Sequence, residues 1–547
     1  MEHFGLLALI PPILTVVLAI WTKDVIISLF LGILSGTIIV AGGNPYSALI
    51  GLTDLIATML ADGWNIRIIL FCMLLGALVG MWNKTGAAIA FGRWAATKVK
   101  SRTGVLIFTW IFGILIFIDD YFNSLTIGAC MKPVCDEKKI SRAKLAYILD
   151  STAAPVCILA PISSWVITVM SYTKSAEGFD KLGINEFEYF MRTIPYNLYA
   201  IFAILMVAFV AFKSRDFGPM ARSEARAMKG IALFDEKKYG IVAGKMDTVG
   251  EDPKARWYDF VFPLVVLIAT AVFFFPMTTW MGKVGTGDGQ VATLSAAMAA
   301  IPLGEAFNNT DASKALFYSI MFTITISYIY FWIRGLMGIQ KSAEAIVEGL
   351  KSMVPAIVIL TMAWSIGFII KKAPADGGVG LANFLSQVVV NGGFPLWILP
   401  LVVFLISCVI SFATGTSWGT MAIMVPIAMP IAVALGQKAG LAGDALINST
   451  LIPIASVMGG AVFGDHCSPI SDTTILSSTG ANCPHLEHVA TQMPYAFMIA
   501  ICCVFGILAA GVSQNPIVGL VVTGAFFAAG IIFMPKIWGV DKFKLED

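Results

Sequence analysis

The sequence predicts an all-α polytopic membrane protein with about 11 transmembrane helices and two re-entrant hairpins, arranged as an inverted repeat with broken helices. Composition is the first observation: of 547 residues, 58% are hydrophobic and 13% are charged, whereas soluble domains carry roughly 25% charged residues. The second is a series of apolar runs long enough to cross about 30 Å of hydrocarbon. The third is a set of similar polar clusters that interrupt these runs in both halves of the chain.

The predicted spans follow one another along the whole chain. They lie near 5–21, 25–41, 67–82, 146–172, 194–212, 258–276, 314–334, 354–370, 447–480, 493–511 and 517–535. The first span has no basic segment before it and no small-residue cleavage site after it. We therefore expect a retained transmembrane helix and not a signal peptide.

Two further apolar stretches, 103–131 and 395–436, carry polar clusters at their centres. Basic loops flank the first stretch on both sides, and such loops collect on the cytoplasmic face of a membrane. The stretch therefore enters and leaves from one face, as a re-entrant hairpin. The same rule places the N-terminus outside, and it places the C-terminus and the loop 213–257, which has ten Lys or Arg residues, in the cytoplasm.

This topology divides the chain into two transmembrane repeats, a linker and an extra helix. Each half holds five crossings and one hairpin, and an odd number of crossings inverts the second half relative to the first. The predicted segments are a first repeat at 5–212 with its hairpin at 103–131, a cytoplasmic linker at 213–257, an inverted second repeat at 258–511 with its hairpin at 395–436, and an extra transmembrane helix with a cytoplasmic tail at 512–547. We expect a multi-pass protein of the cell inner membrane.

The tip of the first hairpin carries two adjacent acids, Asp119 and Asp120. A carboxylate inside a membrane costs at least about 2.5 kcal/mol to place and is therefore a functional candidate. Asn123 and Ser124 add uncharged oxygen ligands of the kind that a sodium ion accepts. The alternative interpretation is a shallow tip at which both acids are hydrated.

A polar triplet, Asp150, Ser151 and Thr152, lies in the span that follows, and the similar triplet 448–450 stands at the matching place in the second half. Pro155 and a second proline six residues later favour a broken helix, because each proline removes an intrahelical hydrogen bond. Broken helices expose carbonyl oxygens and helix ends that coordinate ions. The alternative for the hydroxyls is a hydrogen bond to the preceding turn.

The corresponding span of the second half is richer in polar residues. Three glycines and a proline within 459–474 predict another break, lined by Asp465, His466, Ser468, Ser471 and Asp472. Asp465 and His466 form an adjacent acid and base, and we expect their pKa values to lie on either side of physiological pH. The segment 483–488 fits a packing or gating loop better than a metal site. The second hairpin tip offers hydroxyls and an indole but no acid, from Thr414, Thr416, Ser417 and Trp418.

At these residues the sequence resembles the NhaC family of sodium/proton antiporters and, more distantly, the ion transporter superfamily that includes divalent-anion/sodium symporters. The resemblance is most specific in 413–420, 464–472 and 485–495. It implies an inverted-repeat carrier in which hairpin tips meet broken helices and transport follows an elevator-like displacement. It also implies that the protein forms a homodimer. Members that look like this also include sodium-coupled carriers of amino acids and exchangers of small carboxylates.

These patterns lead to two functional hypotheses. The first is a sodium/proton antiporter that exchanges Na⁺ for H⁺ by alternating access, with Na⁺ and H⁺ as the transported or coupling ions. We expect its Na⁺ site either at Asp120, Asn123 and Asp150 or at a second cluster, formed by Asp465, Ser468 and Asp472. The second hypothesis is a sodium-coupled symporter of an amino acid or small carboxylate.

Other classes of function lack their signatures in this sequence. We find no nucleophile with an oriented base and no nucleotide-binding glycine motif, so we expect neither an enzyme nor a bound cofactor. A net charge of +2 gives no basic footprint for nucleic acid. The expected partners are membrane lipids and a small ion or organic solute.

Overall fold

The computed structural model describes residues 3–22, 24–213, 215–240, 252–287, 289–381, 384, 392–469 and 471–539. Within these residues the extended backbone pairings are two isolated bridges, Phe217 with Gly539 and Val284 with Val291, and the rest of the regular structure is helical. The predicted all-α class is confirmed. Three parts of the sequence predictions lie outside the described residues: linker residues 214 and 241–251, the tail from 540 onward and the side chain of Asp472.

The first half contains eleven described α-helices. They are α1 (Ile10–Thr22), α2 (Val25–Val40), α3 (Pro45–Ala61), α4 (Gly63–Thr85), α5 (Ala87–Lys98), α6 (Arg102–Leu115), α7 (Asp120–Glu137), α8 (Arg142–Cys157), α9 (Ser164–Ser175), α10 (Glu186–Thr193) and α11 (Leu198–Lys213).

The described part of the linker and of the second half continues the series. Its helices are α12 (Gly218–Met228), α13 (Glu236–Tyr239), α14 (Trp257–Lys283), α15 (Leu294–Ala300), α16 (Leu303–Asn308), α17 (Ala312–Ile333), α18 (Ile339–Lys371), α19 (Leu399–Thr414), α20 (Ser417–Lys438), α21 (Gly443–Cys467), α22 (Asp472–Ala481), α23 (His485–Ser513) and α24 (Pro516–Trp538).

Eight of the described helices are long and apolar enough to cross a membrane, or nine if a bent pair counts as one span. The eight are Gly63–Thr85, Trp257–Lys283, Ala312–Ile333, Leu396–Thr414, Ser417–Lys438, Gly443–Cys467, His485–Ser513 and Pro516–Trp538. The sequence predicted about 11 spans by length. The counts differ because several predicted spans form shorter apolar helices, such as α2 with 16 residues, and because 146–172 divides into α8 and α9.

Loops that the charge rule assigns to one side of the membrane lie together in the structure. At one end, Arg102 of the first basic loop pairs with Glu224 of the linker, and Lys144 of the second basic loop pairs with Asp216. At the other end, Trp64 of segment 42–66, which has no Lys or Arg, donates to Glu186 of segment 173–193, in which acidic residues outnumber basic ones. The charge rule places both segments outside. This grouping agrees with the predicted topology, while the sidedness, the re-entrant path of both hairpins and the repeat boundaries stay predictions.

Both predicted hairpins break where the sequence places their polar tips. The first breaks between α6 and α7, and Asp120 is the first residue of α7. The second breaks at Gly415, whose φ of +69° is the left-handed conformation that favours glycine, and Thr416 caps the next helix by accepting from the amide of Gly419. The two tips therefore combine non-helical backbone with the first turn of a helix.

The predicted breaks in the longer spans are placed differently from the expectation. Helix α8 runs through Pro155 and ends at Cys157, so the triplet at Asp150 lies within a continuous helix. Helix α21 also runs through its glycines and ends at Cys467. The predicted break within 459–474 is present beside Pro469, between Cys467 and the start of α22 at Asp472, but the prediction that the glycines cause it is wrong.

The glycines of α21 instead permit close contact with α19. A Cβ atom added to Gly460 would lie 2.4 Å from the carbonyl oxygen of Phe404, and one added to Gly464 would lie 2.6 Å from that of Cys408. No side chain fits at such separations, so the two helix backbones meet directly. This contact fixes α21, and with it Asp465, against the helix that leads into the second hairpin tip.

Substitution of Gly460 by Ala should therefore destabilise the protein. The added methyl group would force α19 and α21 apart, and overpacking of this kind costs about 1–3 kcal/mol. We expect a lower midpoint of thermal unfolding in detergent micelles. The matched control is Gly282→Ala in α14, where an added Cβ meets nothing within 4 Å; equal midpoints for both variants would contradict the close-contact role of Gly460.

Candidate functional site

Asp150 lies at the centre of the site, in the middle of α8, and its side chain is fully buried. Its Oδ2 accepts hydrogen bonds from Gln492 Nε2 at 2.5 Å and from Thr474 Oγ1 at 3.2 Å, and His488 Nε2 lies 3.2 Å away. A buried carboxylate is retained only when other groups pair with it or donate to it. All three of these partners belong to α22 and α23, so the second half holds the acid of the first half.

Further polar atoms around Asp150 are buried and have no hydrogen-bond partner in the described part of the protein. They are Asp150 Oδ1, His466 Nε2, His488 Nδ1 and Gln492 Oε1. Buried polar atoms are almost always satisfied by protein, water or an ion. The cluster therefore has two oxygen atoms and two imidazole nitrogens available to bind a proton or a small polar species.

Asp465 forms a second centre, made of hydroxyl groups and backbone oxygens. Its Oδ2 accepts from Ser417 Oγ at 2.8 Å, and its Oδ1 accepts from Ser471 Oγ. Ser417 comes from the second hairpin tip, and Ser471 caps α22 by accepting from the amide of Thr474. A cation bound here would have one carboxylate and several uncharged oxygen atoms as ligands, which suits a hard cation.

Thr474 links the two centres. Its hydroxyl oxygen lies 3.2 Å from Asp150 Oδ2 and 3.2 Å from the backbone carbonyl oxygen of Asp465. One hydroxyl hydrogen cannot serve both acceptors at once. Thr474 is therefore placed to respond to a change in the charge of Asp150 by donating to one acceptor or the other.

The first hairpin tip is buried beside these centres. Asp119 and Asp120 are 2% and 1% exposed, which excludes the interpretation of a shallow, hydrated tip. Asp119 Oδ2 accepts from Ser164 Oγ of α9 at 3.1 Å, and Ser124 accepts from Ser477 of α22 at 3.1 Å. The tip thus contacts the second half through the same short helix that carries Thr474.

Asn123 has a structural task in addition to any ligand role. Its Nδ2 lies within 3.1 Å of the carbonyl oxygens of Gly113, Ile116 and Thr152. Two of these carbonyls end α6, where a helix leaves its last oxygens without partners. The amide therefore satisfies the broken backbone and ties the hairpin to α8.

Some predicted site residues serve other purposes. Thr152 Oγ1 donates to the carbonyl oxygen of Ile148 at 2.7 Å, and Thr414 donates to that of Ile410 at 2.9 Å, so both form hydrogen bonds with the preceding turn. Ser151 and Ser468 are buried near the centres. The indole of Trp418 packs against Trp165 with ring centroids 5.6 Å apart.

The predicted acid–base pair of Asp465 and His466 is not formed. Consecutive residues of a helix point about 100° apart. Asp465 therefore turns to Ser417, while His466 Nδ1 lies 3.0 Å from the hydroxyl of Tyr199. His488 is a histidine that does contact a carboxylate, that of Asp150.

His488 and Gln492 are the functional candidates that the sequence analysis did not single out. They stand four residues apart at the start of α23, so both lie on one face of the helix and reach Asp150 together. The sequence signal that could have identified them is the spacing of four residues between two polar side chains at the start of a long apolar helix. Residues 483–488 had been assigned to a packing or gating loop instead.

Comparison with known proteins agrees with the nature of this site. Residues 156–512 match the sequence profile of the Na⁺/H⁺ antiporter family. The chain belongs to this family. The match includes α9, the whole described second hairpin and the helices that carry Asp465, Thr474, His488 and Gln492. The resemblance predicted from 413–420, 464–472 and 485–495 is thereby confirmed.

Several relatives of this antiporter-family chain are known. An uncharacterized protein of Haemophilus influenzae is 35% identical over 542 residues, which is 97% of this chain and 95% of the relative. An uncharacterized Na⁺/H⁺ antiporter of the same organism is 32% identical over 147 residues, 27% of this chain and 28% of the relative. A malate-2H⁺/Na⁺-lactate antiporter of Bacillus subtilis is 29% identical over 174 residues, 30% of this chain and 33% of the relative. The chain is a multi-pass membrane transporter of this family.

We predict that Asp465→Asn abolishes sodium-dependent transport without unfolding the protein. The amide removes the negative charge but keeps the size of the side chain, and a hydrogen bond or contact to a charged group is worth about 1.5–3 kcal/mol, or at least about tenfold in affinity. Uptake of radioactive sodium into proteoliposomes measures the effect.

The control for this variant is Asp54→Asn, an acid exposed on α3. Sodium uptake by Asp465→Asn at the rate of the control would remove Asp465 from the site. We expect the same loss for Asp120→Asn at the first hairpin tip.

Proposed function

We propose that this transporter exchanges Na⁺ for H⁺ across the cell membrane by alternating access. The observation that carries the proposal is the position of Asp150: a fully buried carboxylate of the first half, held by His488, Gln492 and Thr474 of the second half. Protonation of the carboxylate would remove the charge that these groups hold. The protonation state would therefore change the contact between the two halves, which is the coupling that an exchanger needs.

The two centres suggest a division of tasks. Asp150 with His488 would carry the proton, because the buried carboxylate and the imidazole lie within hydrogen-bond distance and both can accept one. Asp465 with Ser417 and Ser471 would bind Na⁺, because its ligands are hard oxygens. Thr474 would connect them, since it contacts Asp150 and the backbone of Asp465.

Competition follows from this arrangement without a separate gate. A negative Asp150 attracts the hydroxyl hydrogen of Thr474, which leaves the carbonyl oxygen of Asp465 available to a cation. When Asp150 and His488 share a bound proton, the negative charge that attracts this hydrogen is neutralised, and Thr474 then donates to the carbonyl. Proton binding and sodium binding thus oppose each other through one hydroxyl group.

A second candidate is sodium-coupled or proton-coupled movement of a small carboxylate. It is favoured by the similarity of part of this chain to the malate-2H⁺/Na⁺-lactate antiporter. The solute would lie between the hairpin tips, near Trp418, Asn123 and Ser468. In that case the Asp150 and Asp465 centres still bind the proton and Na⁺, and the organic anion is an additional transported solute.

The deciding experiment uses the purified full chain in proteoliposomes with a pH-sensitive dye inside. Addition of external Na⁺ should make the lumen alkaline, because protons leave as sodium enters. The same vesicles are then tested with radiolabelled lactate, malate and amino acids under a sodium gradient. Sodium-dependent uptake of one solute without proton efflux would overturn the exchange proposal.

The variant His488→Gln should change the pH dependence of exchange. Glutamine can still donate to Asp150 but has no ring nitrogen that accepts a proton, so the rate should depend less on pH than in the unmodified protein. Rates of dye response measured across this range give the profile.

The matched control is His485→Gln, one turn earlier on α23. The ring of His485 contacts the carbonyl oxygen of Pro469 and the hydroxyl of Ser478 rather than Asp150. Unchanged pH profiles in both variants would exclude His488 as the titrating partner. A changed profile in His485→Gln alone would move the proton site to the helix end.

A further inference from the structure

Residues 215–240 contact both halves of the transporter at one end of the site, and we refer to them as the linker strap. Asp216 is the clearest contact, because its side chain is nearly inaccessible, with 4% exposed. Its Oδ1 pairs with Lys144 of α8, which is fully buried, and accepts from the hydroxyl of Tyr495 of α23 at 2.8 Å. One carboxylate of the linker therefore joins a first-half helix to a second-half helix.

Two other acids extend this contact. Glu224 in α12 pairs with Arg102 at the start of α6 and accepts from the backbone amide of Ser141, which caps α8, at 2.8 Å. Glu487 in the first turn of α23 pairs with Arg226 of the strap at 2.7 Å. Both acids are 2% exposed.

Backbone contacts complete the attachment. The amide of Asp235 donates to Glu487 Oε2 at 2.8 Å, and the amide of Arg142 donates to the carbonyl oxygen of Leu233 at 3.1 Å. Arg226 also pairs with Asp235 at 2.8 Å. The strap thus engages α8 and α23 through charges and through the backbone.

The contacts lie close to the Asp150 centre along both helices. On α8, Lys144 precedes Asp150 by six residues, which is less than two helical turns. On α23, Glu487 is adjacent to His488, and Tyr495 follows Gln492 by three residues. The strap therefore holds the same two helices whose contact forms the Asp150 centre.

We propose that the linker strap acts as a latch for ion exchange, because its contacts hold α8 against α23. Asp216 is then a positioning residue that keeps Asp150 within hydrogen-bond distance of His488 and Gln492. The proposal rests on the proposed function, because alternating access requires these helices to move relative to each other. Release of the latch would let α8 and α23 separate at the end where the strap lies. A segment that only connected the two halves would need no buried charges. Burial of an ion is costly unless the ion is paired, so these charges indicate a contact that does more than connect the halves.

Arg226 offers the best test, because it forms the ion pair between the strap and Glu487 and is more accessible than Asp216, with 12% of its side chain exposed. Arg226→Gln should weaken the latch without leaving Lys144 unpaired. Arg226→Lys keeps the charge and should restore most of the effect. Arg222→Gln, an exposed position on the same helix, is the matched control.

The first measurement is amide hydrogen exchange of the full chain in micelles. In Arg226→Gln we expect exchange to accelerate by about tenfold in 142–149 and 485–492, while the helices α14 and α17 stay unchanged. Equal exchange in Arg226→Gln, Arg222→Gln and the unmodified protein would overturn the latch. Faster exchange throughout the protein would show a general structural role and would also overturn it.

The second measurement is the kinetics of exchange in proteoliposomes. A latch predicts that Arg226→Gln changes the apparent KM for sodium by at least about threefold and shifts the pH profile, and that Arg226→Lys reverses both changes. A fall in maximal rate with unchanged KM and pH profile would contradict a positioning role. Asp216→Asn should show the same pattern more strongly.

The two proposals fail in different ways. Hydrogen exchange needs no transported ion, so localised acceleration in Arg226→Gln would support the latch even if the unmodified protein moved no protons against sodium. In that case the exchange proposal alone would be wrong. Normal sodium/proton exchange with no localised acceleration would leave the proposed function intact and exclude the latch.

Discussion

The buried carboxylate of Asp150 constrains the rest of the structure. A charge with no access to water needs partners within hydrogen-bond distance, and helix α8 itself supplies none of the three that the structure shows. The second half must therefore bring α22 and α23 against α8. The requirement is electrostatic, so it is sensitive to a proton in a way that apolar contacts between the same helices are not.

Close backbone contact is what allows such polar groups to meet inside an apolar protein. Glycines on α21 bring its backbone against α19, and Gly128 of α7 lies directly against Gly480 of α22. Small residues at helix interfaces give van der Waals contact where the membrane supplies no hydrophobic drive. The hydroxyls of Ser417 and Ser471 then reach Asp465 from two different elements. The close backbone contacts thus bring the polar side chains within hydrogen-bond distance of each other.

The sequence predicted the polar tips of both hairpins and the break near each, and it singled out Asp150 and Asp465, which the structure buries among hydrogen-bonding side chains. These features depend on local rules: hydropathy, charge bias and the cost of acids in apolar runs. It misplaced the breaks in the long spans because glycine and proline are ambiguous signals, and a neighbouring helix decides whether they end a helix or allow contact. It paired Asp465 with His466 because adjacency in sequence says nothing about direction on a helix.

The sequence by itself determined that this is a helical membrane transporter with polar clusters repeated in both halves, because composition and periodicity are set residue by residue. Only the tertiary structure decided which groups share a site. Asp150 and His488 are 338 residues apart in the chain, and their contact exists because α8 and α23 pack together. The same packing places Lys144, Asp216 and Tyr495 in one buried cluster, since charges far apart in sequence can pair only after the helices that carry them have met.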